Sequence, residues 1–123
     1  MNTPILIQRG VVKPGIAASR GYGYPTANVP LTNPCVPGTY AGYVRIAGGE
    51  EQYPAAVYVA EQLVLEAHLL DFTGDLYGKT IEVRVLAQVR AFEPLEAMSV
   101  LERQMFIDEA VVAVRQYFET LHP

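Results

Sequence analysis

Lysine and cysteine are scarce in this chain, and each scarcity excludes something. Only Lys13 and Lys79 occur, the arginines are scattered, and the formal net charge is −4. A general nucleic-acid binder needs a basic stripe and a polybasic membrane anchor needs clustered Lys and Arg, so neither partner is expected. The single cysteine, Cys35, cannot form a disulfide within the chain and fits a reducing compartment. One cysteine and two distant histidines, His68 and His122, do not make a structural zinc site. No Ser-His-Asp or Cys-His arrangement can be argued. No apolar run reaches membrane-spanning length. The opening "MNTPILIQRGVV" lacks the charged segment and long apolar run of a secretory signal. A soluble cytoplasmic domain is the expectation.

What is present is a packable core. Half of the 123 residues are hydrophobic, enough for one domain spanning residues 1–123. Residues 5–12, 39–47, 53–61, 63–72 and 80–92 read as strands. Residues 80–92 alternate, with Ile81, Val83, Val85, Ala87 and Val89 on one face. Residues 13–38, rich in Pro, Gly, Ser, Thr and Asn, read as a long ordered but irregular stretch. From Pro94 the pattern turns helical: Ile107, Val111, Val114 and Phe118 share one face. A C-terminal helix over about 95–119 is expected. Sequential strands joined by short loops suggest a small barrel or sandwich covered by that helix.

Three polar constellations could carry chemistry. In "GYGYPTANVP", residues 21–30, two prolines make a helix interior impossible and a central strand poor, so a shaped loop is expected. Thr26 and Asn28 offer two oxygens of the kind a hard cation such as magnesium takes beside substrate phosphates. The same two residues could instead close a turn on the backbone. Glu66 stands within the apolar run "LVLEAHLL". Period two places it with Val64, His68 and Leu70 on one face. Partial desolvation there would make it a better general base; an exposed cross-strand Glu paired with Arg84 or His68 is the alternative. Finally, "KPGIAASRGYG", residues 13–23, could turn backbone N–H groups toward phosphate or simply be a flexible loop.

Taken together, these stretches resemble a known family. "GYPTANVP" is similar to the Gly-aromatic-Pro-Thr-Ala-Asn signature of riboflavin kinases. "EAHLLDFTGDLYGKTIEVRVLAQVR" resembles that family's second signature, and the order of the motifs is also the family's. The resemblance covers roughly residues 9–118. It implies an all-β, six-stranded antiparallel Greek-key barrel with a C-terminal α-helix. The implied reaction moves the ATP γ-phosphoryl to the terminal ribityl hydroxyl of riboflavin, giving FMN and ADP, with magnesium as cofactor. By the same resemblance Thr26 and Asn28 hold the metal, and Glu66 is the catalytic base. Gly15, Ser19, Arg20, Tyr24, Pro25, Thr26 and Asn28 meet the nucleotide, and His68 and Arg90 lie on the flavin side. A nucleotidyltransferase half, as in bifunctional FAD synthetases, is the implied partner domain.

The sequence departs from the family pattern in three places. Gly15 and Arg20 match the phosphate loop, but Ala17, Ala18 and Ser19 stand where the family has Gly, Arg and Gly. Glycine is what lets backbone approach phosphate closely. A flap between the two motifs is missing, and the stretch after Arg90 is short. A catalytically impaired flavin- or nucleotide-binding module of the same fold is the alternative function.

Overall fold

Six strands pair into one antiparallel sheet in the computed structural model, which describes residues 3–13, 23–61 and 63–121. They are β1 (Leu6–Val11), β2 (Thr26–Pro30), β3 (Gly38–Ile46), β4 (Gln52–Val59), β5 (Val64–Leu69) and β6 (Thr80–Ala91). Their order across the sheet is β1-β6-β3-β4-β5-β2. β3, β4 and β5 form a meander, and β6 returns to lie beside β3, which is a Greek key. The sheet ends, β1 and β2, curl toward each other. The Lys13 N–H donates to the Asn28 carbonyl at 2.9 Å, and a Cβ on Gly10 would stand 3.3 Å from Val29. The result is the expected antiparallel Greek-key barrel, nearly closed, with one helix, α1 (Val100–Leu121), after it. Gly15, Ser19, Arg20 and His122 lie outside the described residues.

Two apolar layers follow from strand alternation. Inside the barrel, Ala27, Val29, Val44, Val57, Leu65, Ala67, Leu69, Ile81, Val83 and Val85 are buried together. On the outer face, Ala41, Ala56, Tyr58 and Leu70 meet Phe106, Ile107, Val111 and Val114 of α1. Ala41 and Ala56 are directly opposite each other, and Ala87 faces Ala41 from β6. Side chains this small let the helix seat close to the sheet.

Three sequence expectations are corrected. Residues 26–30 are a strand, not a loop. β2 pairs along its length only with β5, so it is an edge. Pro25 precedes its first residue and Pro30 is its last, positions where proline's missing N–H does little harm. Second, β6 does not keep one alternation to its end. Its register against β3 shifts between Ala41 and Gly42 and again between Thr39 and Tyr40. Such bulges insert an extra residue and turn the following side chains. Val89 therefore packs with the helix-covered cluster and not with Ile81, Val83 and Val85. Third, the helical region is broken. A 3₁₀ turn over Leu95–Ala97 is separated from α1 by Met98, which is extended (φ −94°, ψ 149°), and Ser99.

Candidate active site

Pairing of β2 with β5 places Thr26 opposite His68 and Asn28 opposite Glu66. Tyr58 of β4 flanks Glu66 from the other side. The row continues through Thr39 of β3 to Arg90 of β6. Directly paired residues point to the same face, so Asn28, Glu66, Tyr58, Thr39 and Arg90 form one line across the barrel's outer surface. Thr26 and His68 begin the neighbouring line. The alternation around Glu66 is as the sequence suggests, with Leu65, Ala67 and Leu69 turned to the interior.

Although outward, this surface is covered. Glu66 is 6% exposed, His68 3%, Asn28 8% and Thr39 2%. Among the described residues, three side-chain atoms on it are buried without a hydrogen-bond partner: Thr39 Oγ1, Glu66 Oε1 and His68 Nε2. Glu66 Oε1 and His68 Nε2 lie 3.0 Å apart but are not aligned for a hydrogen bond. Nearly all buried polar groups in native proteins are paired. Three unpaired atoms on one face mark it as the candidate site. Thr39 was not picked out from the sequence; its only signal is a hydroxyl within the apolar run "TYAGYV".

The neighbours are firmly held. The Thr26 hydroxyl lies within hydrogen-bond reach of the Tyr24 carbonyl at 3.2 Å and of His68 Nδ1 at 3.1 Å. The Leu69 N–H donates to the Pro25 carbonyl at 2.8 Å, extending the β2–β5 ladder by one residue. The Tyr58 hydroxyl donates to the Glu93 carbonyl at 2.7 Å and accepts from the Leu95 N–H at 3.4 Å. Burial pushes the Tyr58 phenol up to about 12. It is neutral at ordinary pH and serves as a strut between the barrel and the 3₁₀ turn. Arg90 ends the row turned to the helix: its guanidinium reaches Glu109 at 3.0 Å and Glu93 at 3.7 Å and lies over the Phe106 ring.

The donor set suits one type of cation. Thr26, Asn28 and Glu66 supply only oxygen. Among the described residues no group of three His, Cys, Asp or Glu side chains could hold a metal. Oxygen-only side chains are of the kind that magnesium takes, one or two at a time, beside waters and substrate phosphates. The unpartnered Glu66 oxygen fits the same polar surface.

The fold is a nearly closed Greek-key barrel that carries a carboxylate on β5 and an amide and a hydroxyl on the adjoining edge strand β2. Sequence comparison goes further. The flavokinase family, described as riboflavin kinase, matches residues 3–117. The bifunctional riboflavin kinase/FMN adenylyltransferase of Escherichia coli (strain K12) is 33% identical over 124 residues, covering 93% of this chain and 38% of that protein. The enzyme of the same description from Mycoplasma pneumoniae is 32% identical over 100 residues, covering 78% of this chain and 37% of that one. A solved structure described as a macrolide-efflux protein from Streptococcus pneumoniae superposes with a TM-score of 0.63 at 30% identity, covering 88% of this chain and 36% of that one. The chain belongs to the riboflavin kinase family. It spans well under half the length of the relatives it matches. No helix among the described residues is long and apolar enough to cross a membrane.

Proposed function

We propose that this chain is a riboflavin kinase that uses ATP and magnesium. The observation that carries the reading is the cross-strand pairing of Asn28 with Glu66, beside Thr26 and His68, on one covered polar face. Residues 1–123 act as one barrel unit in this reading. In the family's bifunctional relatives such a unit accompanies an FMN adenylyltransferase, and a partner domain of that activity is proposed here too.

Phosphoryl transfer asks a protein mainly for positioning and charge neutralisation. Thr26 and Asn28 would hold the magnesium, which neutralises phosphate charge when bound. Glu66 accepts the proton of the terminal ribityl hydroxyl as that oxygen forms its bond to the γ-phosphorus. The bond from the γ-phosphorus to the bridging oxygen breaks, and ADP leaves with the electron pair. Tyr24 and Pro25 aim β2 at the nucleotide, and Gly15, Ser19 and Arg20 belong to its phosphate loop. Arg90 closes the flavin end through its contacts with Glu93, just after β6, and with Glu109 of α1. A protein of this kind would work in the cytoplasm, where both substrates occur.

A specific observation favours a second reading, a flavin- or nucleotide-binding module with impaired catalysis. Ala17, Ala18 and Ser19 replace two glycines and an arginine of the family's phosphate loop. One assay separates the two. Purified chain is mixed with riboflavin, ATP and magnesium, and FMN is resolved by chromatography beside Glu66→Gln. Magnesium-dependent FMN that falls by about 10²–10⁴-fold in the variant is expected of a general base. Flavin binding without FMN supports the impaired module; FMN at the wild-type rate from Glu66→Gln removes Glu66 from the mechanism.

A further inference from the structure

His68 offers a flavin almost no surface, because its side chain is 4% exposed and both ring nitrogens face other side chains. Nδ1 is 3.1 Å from Thr26 Oγ1, and Nε2 is 3.0 Å from Glu66 Oε1. The ring thus sits between an edge-strand hydroxyl and the carboxylate two residues before it on β5.

The tautomer of this ring follows from its neighbours. The Thr26 hydroxyl has one hydrogen to give; it lies 3.2 Å from the Tyr24 carbonyl, which can only accept, and 3.1 Å from His68 Nδ1, which accepts or donates according to the tautomer. With the ring proton on Nδ1, Nε2 would turn a lone pair toward a buried carboxylate oxygen at 3.0 Å. Two acceptors would then face each other where the effective dielectric is low. With the proton on Nε2, the same contact becomes N–H to carboxylate, and Thr26 donates to Nδ1. Hydrogen bonds to ionised groups are roughly twice as strong as neutral ones, so the second arrangement prevails. The present misalignment of Nε2 and Oε1 is small in energy, because a carboxylate rotates about a broad terminal torsion.

We propose that His68 is a positioning residue: Thr26 holds it in the Nε2–H tautomer, and the ring in turn orients Glu66 through Oε1. That leaves Oε2 to receive the proton of the substrate hydroxyl. The kinetic part of this inference rests on the riboflavin kinase reading; the tautomer part does not.

The chain has two histidines, His68 and His122, so ¹⁵N-histidine NMR of the ligand-free protein resolves the ring directly. A protonated Nε2 with an unprotonated Nδ1 is expected. Thr26→Val should move the His68 Nδ1 resonance and leave His122 in place. A proton on Nδ1, alone or together with Nε2, overturns the proposal, and so does an unchanged Thr26→Val spectrum. Kinetics supply a second readout. The Gln amide can reach the place of Nε2 and donate to Glu66, whereas the Asn amide reaches only the place of Nδ1. His68→Asn should lower kcat by about 10²-fold, the cost of a misplacement of about 1 Å, with KM for riboflavin nearly unchanged. His68→Gln should restore most of kcat. Equal losses in the two variants, or a rise in KM alone, overturn the positioning role. A wild-type chain that forms no FMN would sink the kinase reading, while the NMR result would still decide the tautomer.

Discussion

Glu66 carries an energetic conflict. A carboxylate that is only 6% exposed loses its hydration, and its 3.0 Å contact with His68 Nε2 is not aligned to repay it in full, so it destabilises the ligand-free fold. Glu66→Gln should therefore lose turnover and still raise the melting temperature. Relief of roughly 1 kcal/mol corresponds to about 4 °C in a domain of this size. A lowered melting temperature in scanning calorimetry would show that Glu66 is better satisfied than its geometry implies. Glu82 illustrates the opposite case. Arg84 and Arg9 hold its carboxyl below the ordinary value of 4.5. The folded state thus keeps the ionised form longer than the unfolded state does. The stability this provides is fully present above about pH 4.5 and is lost as pH falls through the lower folded value. Urea denaturation across that acid range should show a shallower decline for Glu82→Gln than for the wild type.

Among the elements, α1 depends on its first turn. The Ser99 hydroxyl accepts from the Glu102 N–H at 3.2 Å, and the Ser99 N–H donates to Glu102 Oε1 at 2.9 Å. This reciprocal capping box satisfies two otherwise orphaned donors. The contact with the Ser99 N–H also lowers the Glu102 pKa. Ser99→Ala should cost about 1 kcal/mol, read as a lower urea midpoint with an unchanged slope. The pattern "SVLE" is visible in the sequence, and it marks the helix start better than Pro94 does. The bulges in β6 are not visible in the same way. They depend on which strand lies alongside, and Gly42 shows why: a Cβ there would come within 2.5 Å of the Arg84 carbonyl oxygen. Close approach of β3 and β6 at that point needs glycine.

The whole molecule has two cores sharing one sheet. The interior of the barrel fixes strand register, and the helix-covered face fixes α1 beside the candidate active-site row. Ile107 is 2% exposed within the second core. Ile107→Ala should cost about 2–5 kcal/mol by cavity formation, measured by equilibrium denaturation. Asp71, at a left-handed φ of 60° just after β5, reaches Arg115 of α1 at 3.1 Å. That exposed pair contributes little stability, but it ties the end of β5 to the helix. Undiminished stability of Ile107→Ala would mean that α1 only rests on the sheet.

How much of this was legible beforehand divides along the range of the interactions. Periodicities of two and of about 3.6 are local, so five of the six strands and the helical face of Ile107, Val111 and Val114 could be read from the chain. So could the oxygen donors, as separate candidates. β2 escaped because its prolines argue against a central strand, and only the assembled sheet makes it an edge. Thr26 and His68 are 42 residues apart, and no local pattern says that they touch. Their meeting, the pairing of Asn28 with Glu66, and the turning of Val89 toward the helix are matters of long-range register. Register is set where buried faces match, and that matching exists only once the strands lie side by side.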